Sequence, residues 1–185
     1  MLNIVCVNNN DYLGRGNEYV EKLRQGVKNN CNKEYNFIEF HGNEEGWWAK
    51  LELFKEFKGK TLYFDLDTVI TGNIDFLTEP HEFAALTDFY HQRQIGSGVM
   101  SWDGDYSHIY DKWAELKKPN LMGGDQQWIF MVKPDAKRLQ IEFPNKIVSY
   151  KVHCTNGVPN DATVVCFHGL PRPHEVNFNP DRRYK

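Results

Sequence analysis

Apolar positions change period several times along the chain, and each change marks an element. The run LNIVCV at 2–7 has the continuous β-rich character of a buried strand. After the polar loop NNNDYLGRG, Tyr19, Val20, Leu23 and Val27 recur on one face of a helix over 18–28. EYNFIEF at 34–40 predicts a second strand, and WWAKLELFKEF at 47–57 a second helix carrying Leu51, Phe54 and Phe57 at helical spacing. GKTLYFD at 59–65 returns to strand, so the first third reads βαβαβ, the order of a largely parallel sheet covered by helices. EFAALTD at 82–88 and SGVMSWD at 97–103 predict further strands. DYSHIYDKWAEL at 105–116 predicts a helix opened by an acidic cap and stopped before Pro119. DQQWIFMV at 125–132 is assigned to helix rather than strand, and KIVSY at 146–150 and ATVVCFH at 162–168 complete the strands. No internal repeat or linker interrupts this order, so the expectation is one α/β domain over 1–185.

Composition narrows the picture. At 41% hydrophobic residues the chain can bury a proper core, and no apolar run reaches the eighteen residues of a membrane span. The N-terminal run lacks a basic region and a small-residue cleavage site, which predicts a strand rather than a secretory leader and a cytoplasmic location. A net charge of −3 offers no general attraction for nucleic acid or an anionic membrane, so an anionic ligand must be held by local cations or a metal. Cys6, Cys31, Cys154 and Cys166 form no CxxC pair and point to a reducing compartment. The basic DRRYK end reads as a solvated terminus.

Three segments carry candidate chemistry. In YFDLDTVITGNID, Asp65 and Asp67 lie two residues apart beyond an apolar strand, where open α/β sheets bind ligands. Alternation in a strand projects both to one side. Two close carboxylates repel unless a cation joins them, and a hard divalent ion with oxygen ligands suits the pair. An isolated DxD triplet is common by chance, and one Asp can equally cap the following turn. In MGGDQQW at 122–128, Gly123 and Gly124 permit close backbone approach, and Asp125 with Gln126 sits at a helix start, where Asp125 can also serve as an N-cap. In VVCFHGLPRPHE at 164–175, a strand delivers His168, a metal ligand when neutral, to a loop carrying Arg172, whose planar fork suits phosphate.

Together with VNNNDYLG at 7–14, AKLELFKEFKGKTLYFDLDTVITGNID at 49–75 and GSGVM, these segments resemble the GT-A fold glycosyltransferases, closest to the glycogenin-like and galactosyltransferase members of family 8 and their small viral and bacterial relatives. The resemblance implies a Rossmann-like mixed, mainly parallel sheet flanked by helices. It also implies metal-dependent transfer of a sugar from a nucleotide diphosphate donor, usually a UDP-sugar, to a carbohydrate or glycan acceptor, with retention of configuration. By motif, Asp65, Asp67 and His168 would hold Mn²⁺ or Mg²⁺. Arg172 takes the place of a diphosphate-binding lysine, beside Gly169. Lys50 matches a lysine near the donor, Asp125 and Gln126 match a pair beside the transferred sugar, and Asn8, Asp11 and Tyr12 fall in the loop that holds uracil and ribose.

The chain also departs from that pattern. His168 directly precedes Gly169, His174 replaces a tryptophan, Gly96 stands where an Asn is common, and Met122 replaces an acid. Two other readings compete: a haloacid dehalogenase-like phosphatase, whose strand-DxDxT/V motif YFDLDTV imitates, and a non-catalytic module that binds a nucleotide sugar. The late position of the motif and Thr68 argue against the phosphatase. Trp47, Trp48 and Trp128 are candidate sugar platforms whose commoner use is core packing.

Overall fold

The structure is a computed structural model that describes residues 1–9, 12, 14–79 and 82–184. Strand β1 (Leu2–Val7) leads into helix α1 (Gly16–Asn30), strand β2 (Tyr35–Phe40), helix α2 (Ala49–Glu56) and strand β3 (Thr61–Phe64). The pattern of the first third is therefore realised, with one difference. Gly46–Trp48 form a separate 3₁₀ turn ahead of α2, which leaves Trp47 outside the helix.

After β3 come β4 (Thr68–Ile70), β5 (Phe83–Thr87) and β6 (Ile95–Trp102), then α3 (His108–Glu115) and α4 (Gly124–Val132). The remainder consists of short pieces: β7 (Lys137–Arg138), α5 (Leu139–Glu142), β8 (Ile147–Ser149), α6 (Tyr150–His153), β9 (Val158–Pro159), β10 (Val164–Cys166) and β11 (Arg183–Tyr184). The preference for helix at 125–132 holds. The acidic opening of the third helix is shifted: Asp105 accepts the Ser107 amide (2.9 Å) in a turn, and the helix starts at His108.

The central sheet runs in the order β2-β1-β3-β6-β5-β7. β2, β1 and β3 are parallel, as are β5 and β7, while β6 runs antiparallel to both its neighbours. Helices cover both faces, so the strands are apolar on both sides, and alternate residues serve two different cores. Ile4, Cys6, Leu62 and Phe64 pack with Tyr19, Val20, Leu23 and Val27 of α1. Val5, Tyr63, Met100 and Trp102 pack with Leu51 and Phe54 of α2, Trp113 of α3 and Trp128 of α4.

A small sheet, β4-β10-β8, stands beside the large one; β8 and β10 fall within the strands expected at 146–150 and 162–168, whereas β4 is not among the expected elements. In that sheet β10 pairs antiparallel with β4, which places the end of β10 next to the turn at Asp67, whose carbonyl accepts the Phe167 amide (3.3 Å). The four cysteines are free thiols; burial pushes Cys6 up to about 12 and Cys154 up to about 11, so both are inert apolar fillers at neutral pH. No helix among the described residues is long and apolar enough to cross a membrane.

Candidate active site

The carboxyl ends of β1 and β3, the start of β6, the N-terminus of α4 and the loop after β10 converge on a cavity of about 560 Å³. Asp65, Asp67, Lys50, Asp125, Gln126, His168, Gly169, Arg172 and Tyr12 all line it. Residues far apart in sequence are thus brought to one place.

Lys50 is the centre of the floor. It sits on the first turn of α2, 7% exposed, and its Nζ reaches Asp65 Oδ1 (3.0 Å), Asp125 Oδ2 (3.1 Å) and Ser97 Oγ (3.1 Å). Those are three acceptors for three ammonium protons. Ser97 in turn donates to Asp125 Oδ2 (2.7 Å), and the Tyr63 hydroxyl donates to Asp65 Oδ1 (2.5 Å). Burial alone would lower the Lys50 pKa, but Asp125 and Asp65 override it and hold the ammonium above its ordinary value. Burial and the Asp65 charge push the Tyr63 phenol well up, so it stays a hydrogen-bond donor.

Asp65 and Asp67 reach the cavity by a different route from strand alternation. β3 ends at Phe64; the Asp65 amide bonds to Gly98 O (2.8 Å) and its carbonyl accepts the Thr68 amide (3.0 Å), so Leu66 and Asp67 lie in a turn. Asp67 is 4% exposed. One Arg172 nitrogen pairs with its Oδ2 and also donates to the Tyr12 hydroxyl, while the Arg172 guanidinium lies 5.1 Å over the Tyr12 ring. Burial, then the nearby Asp65 charge, raise the Asp67 pKa, with Arg172 opposing them. Arg172 Nε is buried without a partner, so the guanidinium is not fully satisfied where it lies.

His168 ends the β10 segment in a left-handed conformation (φ 38°), followed by Gly169 (φ 101°). Two successive positive φ values turn the chain sharply toward Asp67, and glycine adopts the second at little cost. The His168 ring stacks on Phe89 (5.0 Å between centroids), and its Nε2 lies 2.6 Å from Ser149 Oγ. Burial, helped by Lys151, lowers its pKa to about 4, so the imidazole is neutral at physiological pH.

Several expectations need correction. Asp125 does not cap α4; Gly123 occupies the cap position and the Asp125 carboxylate points to Lys50 and Ser97. The close approach that Gly124 permits is to Trp47: at φ 60°, a Cβ there would lie 2.8 Å from the indole nitrogen. Asn8 is 4% exposed and donates to Glu39 (2.7 Å), away from the cavity wall, where Asn9 stands instead. Asp11 lies outside the described residues. Of the tryptophans considered as platforms, Trp48 stacks on Trp113 and Trp128 donates to Ile109 O, whereas Trp47 is 57% exposed at the cavity. Sequence reasoning missed Ser97, Tyr63 and Asn9. Ser97 had a signal, a polar residue between two glycines at a strand start; Tyr63 had none, because a tyrosine in TLYF reads as core.

Two carboxylates and a neutral imidazole suit a hard divalent cation in kind, and all three line the same cavity. As arranged, Asp67 is paired with Arg172 and His168 with Ser149, and the described residues contain no ready group of three acidic, His or Cys ligands. The donor set therefore fits an ion on condition that Arg172 leaves Asp67. The phosphatase alternative does not fit the fold: the Asp pair follows the third strand, and β6 beside it is antiparallel.

No protein-family model matches the sequence. Inositol phosphorylceramide glucuronosyltransferase 1 of Arabidopsis thaliana is 29% identical over 117 residues, 62% of this chain and 21% of the plant protein, so the chain spans about a fifth of that relative. Among solved structures, apo glycosyltransferase GlyE of Streptococcus pneumoniae TIGR4 superimposes with a TM-score of 0.70 at 14% identity, over 93% of this chain and 55% of GlyE. The galactosyltransferase LgtC, solved with donor and acceptor sugar analogues, gives 0.67 at 12% identity over 93% of this chain and 89% of LgtC. A glycosyltransferase involved in glycosylation of the major capsid of PBCV-1 gives 0.63 at 15% identity over 95% of this chain and 97% of the other. The α/β fold, with its mainly parallel central sheet flanked by helices, is that of these glycosyltransferases.

Proposed function

We propose that the chain is a glycosyltransferase that moves a sugar from a UDP-sugar to a carbohydrate or glycan acceptor, with a divalent cation, Mn²⁺ or Mg²⁺, and with retention of configuration. The observation that carries this reading is the convergence of Lys50, Asp65, Asp67, Asp125, His168 and Arg172 on one cavity of about 560 Å³, within the size of small-ligand sites. Three carboxylates there face two cations. A diphosphate entering alone would deepen the excess of negative charge, and a divalent cation corrects it.

Asp65, Asp67 and His168 would hold the ion, which, when bound, acts as a Lewis acid on the diphosphate oxygens. The chain's own groups do the rest. Departure of the sugar builds negative charge on the diphosphate, and the Arg172 guanidinium, released from Asp67, meets it. Lys50 and Ser97 fix the Asp125 carboxylate in one orientation beside the sugar, where negative charge stabilises a cationic anomeric carbon. Gln126, tied to Asp88 (2.7 Å), presents its amide at the same wall. Asn9 and Tyr12 flank the end where the nucleoside lies.

The test is release of UDP from a panel of UDP-sugars with Mn²⁺ present and after EDTA, followed by NMR of the product's anomeric proton. Cation-dependent release with retained configuration is expected. Calorimetric UDP binding without turnover of any donor would instead identify a non-catalytic nucleotide-sugar module, and inversion would remove the retaining assignment.

A further inference from the structure

Ser149 closes the short apolar run of β8 and lies opposite Cys166 in the parallel pairing of β8 with β10. That register sets it beside the strand end that delivers His168. Ser149 is fully buried, and its polar atoms are all engaged. Its amide donates to His153 Nδ1 (3.0 Å), and its hydroxyl oxygen accepts the Val152 amide (3.2 Å), which caps the short helix α6. The same oxygen lies 2.6 Å from His168 Nε2.

Counting protons assigns the direction of that short contact. The hydroxyl has one proton and, among the described residues, one acceptor within reach, His168 Nε2. If the imidazole donated instead, the hydroxyl proton would be buried without a partner, which is the costlier arrangement. The hydroxyl therefore donates, the Nε2 lone pair is engaged, and the neutral ring carries its proton on Nδ1. As it stands, neither ring nitrogen has a lone pair to offer a cation. The ring is also held in place: it stacks on Phe89 at 5.0 Å and 22°, meets Tyr90 edge-on at 5.6 Å, and Lys151 Nζ donates to the His168 carbonyl (2.9 Å).

We propose that Ser149 is a positioning residue that holds His168 back from a divalent cation, so that the imidazole reaches the ion only by giving up the Ser149 hydroxyl. The inference rests on the transferase reading above, in which His168 is an ion ligand. With Arg172 on Asp67 and Ser149 on His168, the chain gives up an internal contact at each of two ligands when it takes the ion. Ser149 therefore weakens cation binding. That is the opposite of a hydrogen-bond partner that orients a ligand through its other nitrogen and strengthens the site.

The experiment pairs two measurements on the full chain. Long-range ¹H–¹⁵N NMR of the histidine rings, without metal, reads the tautomer: His168 protonated on Nδ1 is expected in the parent and in Ser149→Thr, which keeps the hydroxyl, and loss of that preference in Ser149→Ala. Titration with Mn²⁺ in the presence of UDP, followed by the EPR signal of the free ion, reads affinity. Binding roughly fivefold tighter in Ser149→Ala than in the parent is expected, with Ser149→Thr unchanged. Loss of the α6 cap alone would lower the melting temperature without shifting the tautomer or tightening the ion. His168 protonated on Nε2 in the parent, or Mn²⁺ held equally or more weakly by Ser149→Ala, overturns the inference and leaves the transferase reading standing. Mn²⁺ bound by neither chain overturns that reading and the inference with it.

Discussion

Two cation–carboxylate junctions share the cavity, and they are built to opposite standards. At the Lys50 junction every ammonium proton has an acceptor and the group is 7% exposed. At the Arg172 junction one nitrogen serves both Asp67 and Tyr12, Nε is buried without a partner, and the side chain keeps 21% of its surface exposed. The first is a closed frame: moving Lys50 would strand the Asp125 carboxylate in a dry place and take the counter-charge from the partly exposed Asp65. The second has unused donor capacity, so under the proposed function a diphosphate would offer Arg172 more than Asp67 does. If the site binds a diphosphate and a divalent ion together, as proposed, one fixed counter-charge beside one that can change partner suits that task.

The largest effect is expected from breaking the frame. Lys50→Met removes the cation from between Asp65 and Asp125 and should cost about 3–5 kcal/mol in urea denaturation, with turnover lost. A variant as stable as the parent would mean that the two junctions do not differ as described. Next comes Asp67→Asn, for which cation-stimulated turnover of a UDP-sugar should fall by roughly a hundredfold or more. Its denaturation midpoint should move less than that of Lys50→Met, and a larger shift would make Asp67 part of the frame.

Arg172→Ala sharpens the contrast from the other side. It should reduce donor kcat/KM by about a hundredfold while the fold survives, and Arg172→Lys should restore part of the rate, since lysine keeps the charge but not the planar fork. The smallest effect concerns a pair outside both junctions. Burial opposes ionisation of Glu44, but Lys118 and Tyr110 (2.8 Å) bind the carboxylate and hold its pKa below the ordinary value. A depressed carboxylate contributes stability that is fully present above its unfolded pKa and is lost as pH falls through its folded one. Glu44→Gln should therefore cost about 0.2–1 kcal/mol at neutral pH and nothing in strong acid, as read by melting curves across that range.

What was legible in the sequence divides along the same line between local and long-range causes. β1, α1 and β3 were readable because each carries its own apolar period, and α4 because its apolar run follows two glycines. β8 and β10 were readable as short apolar runs too, but β4 was not, since its three residues become a strand by pairing with β10 across the chain. Asp125 illustrates the same limit at the site. An acid at a helix start predicts a cap, yet a buried lysine from another helix claims it. Asn8 and Asn9 could not be told apart from a run of three asparagines, and only the exit angle of β1 sends Asn9 to the cavity and Asn8 to Glu39. The positions of Asp65, His168 and Arg172 were anticipated through resemblance, but not that Arg172 rests on Asp67.

Everything at the site turns on whether the cavity accepts a nucleoside diphosphate together with a divalent ion. Calorimetric titration of the full chain with UDP, in Mn²⁺ and again in EDTA, measures that directly. Saturable binding at one site in Mn²⁺, weakened at least tenfold by EDTA and again by Arg172→Ala, is the expected result, the threshold corresponding to about 1.4 kcal/mol. Absence of binding in Mn²⁺, or equal affinity with and without the ion, would contradict it.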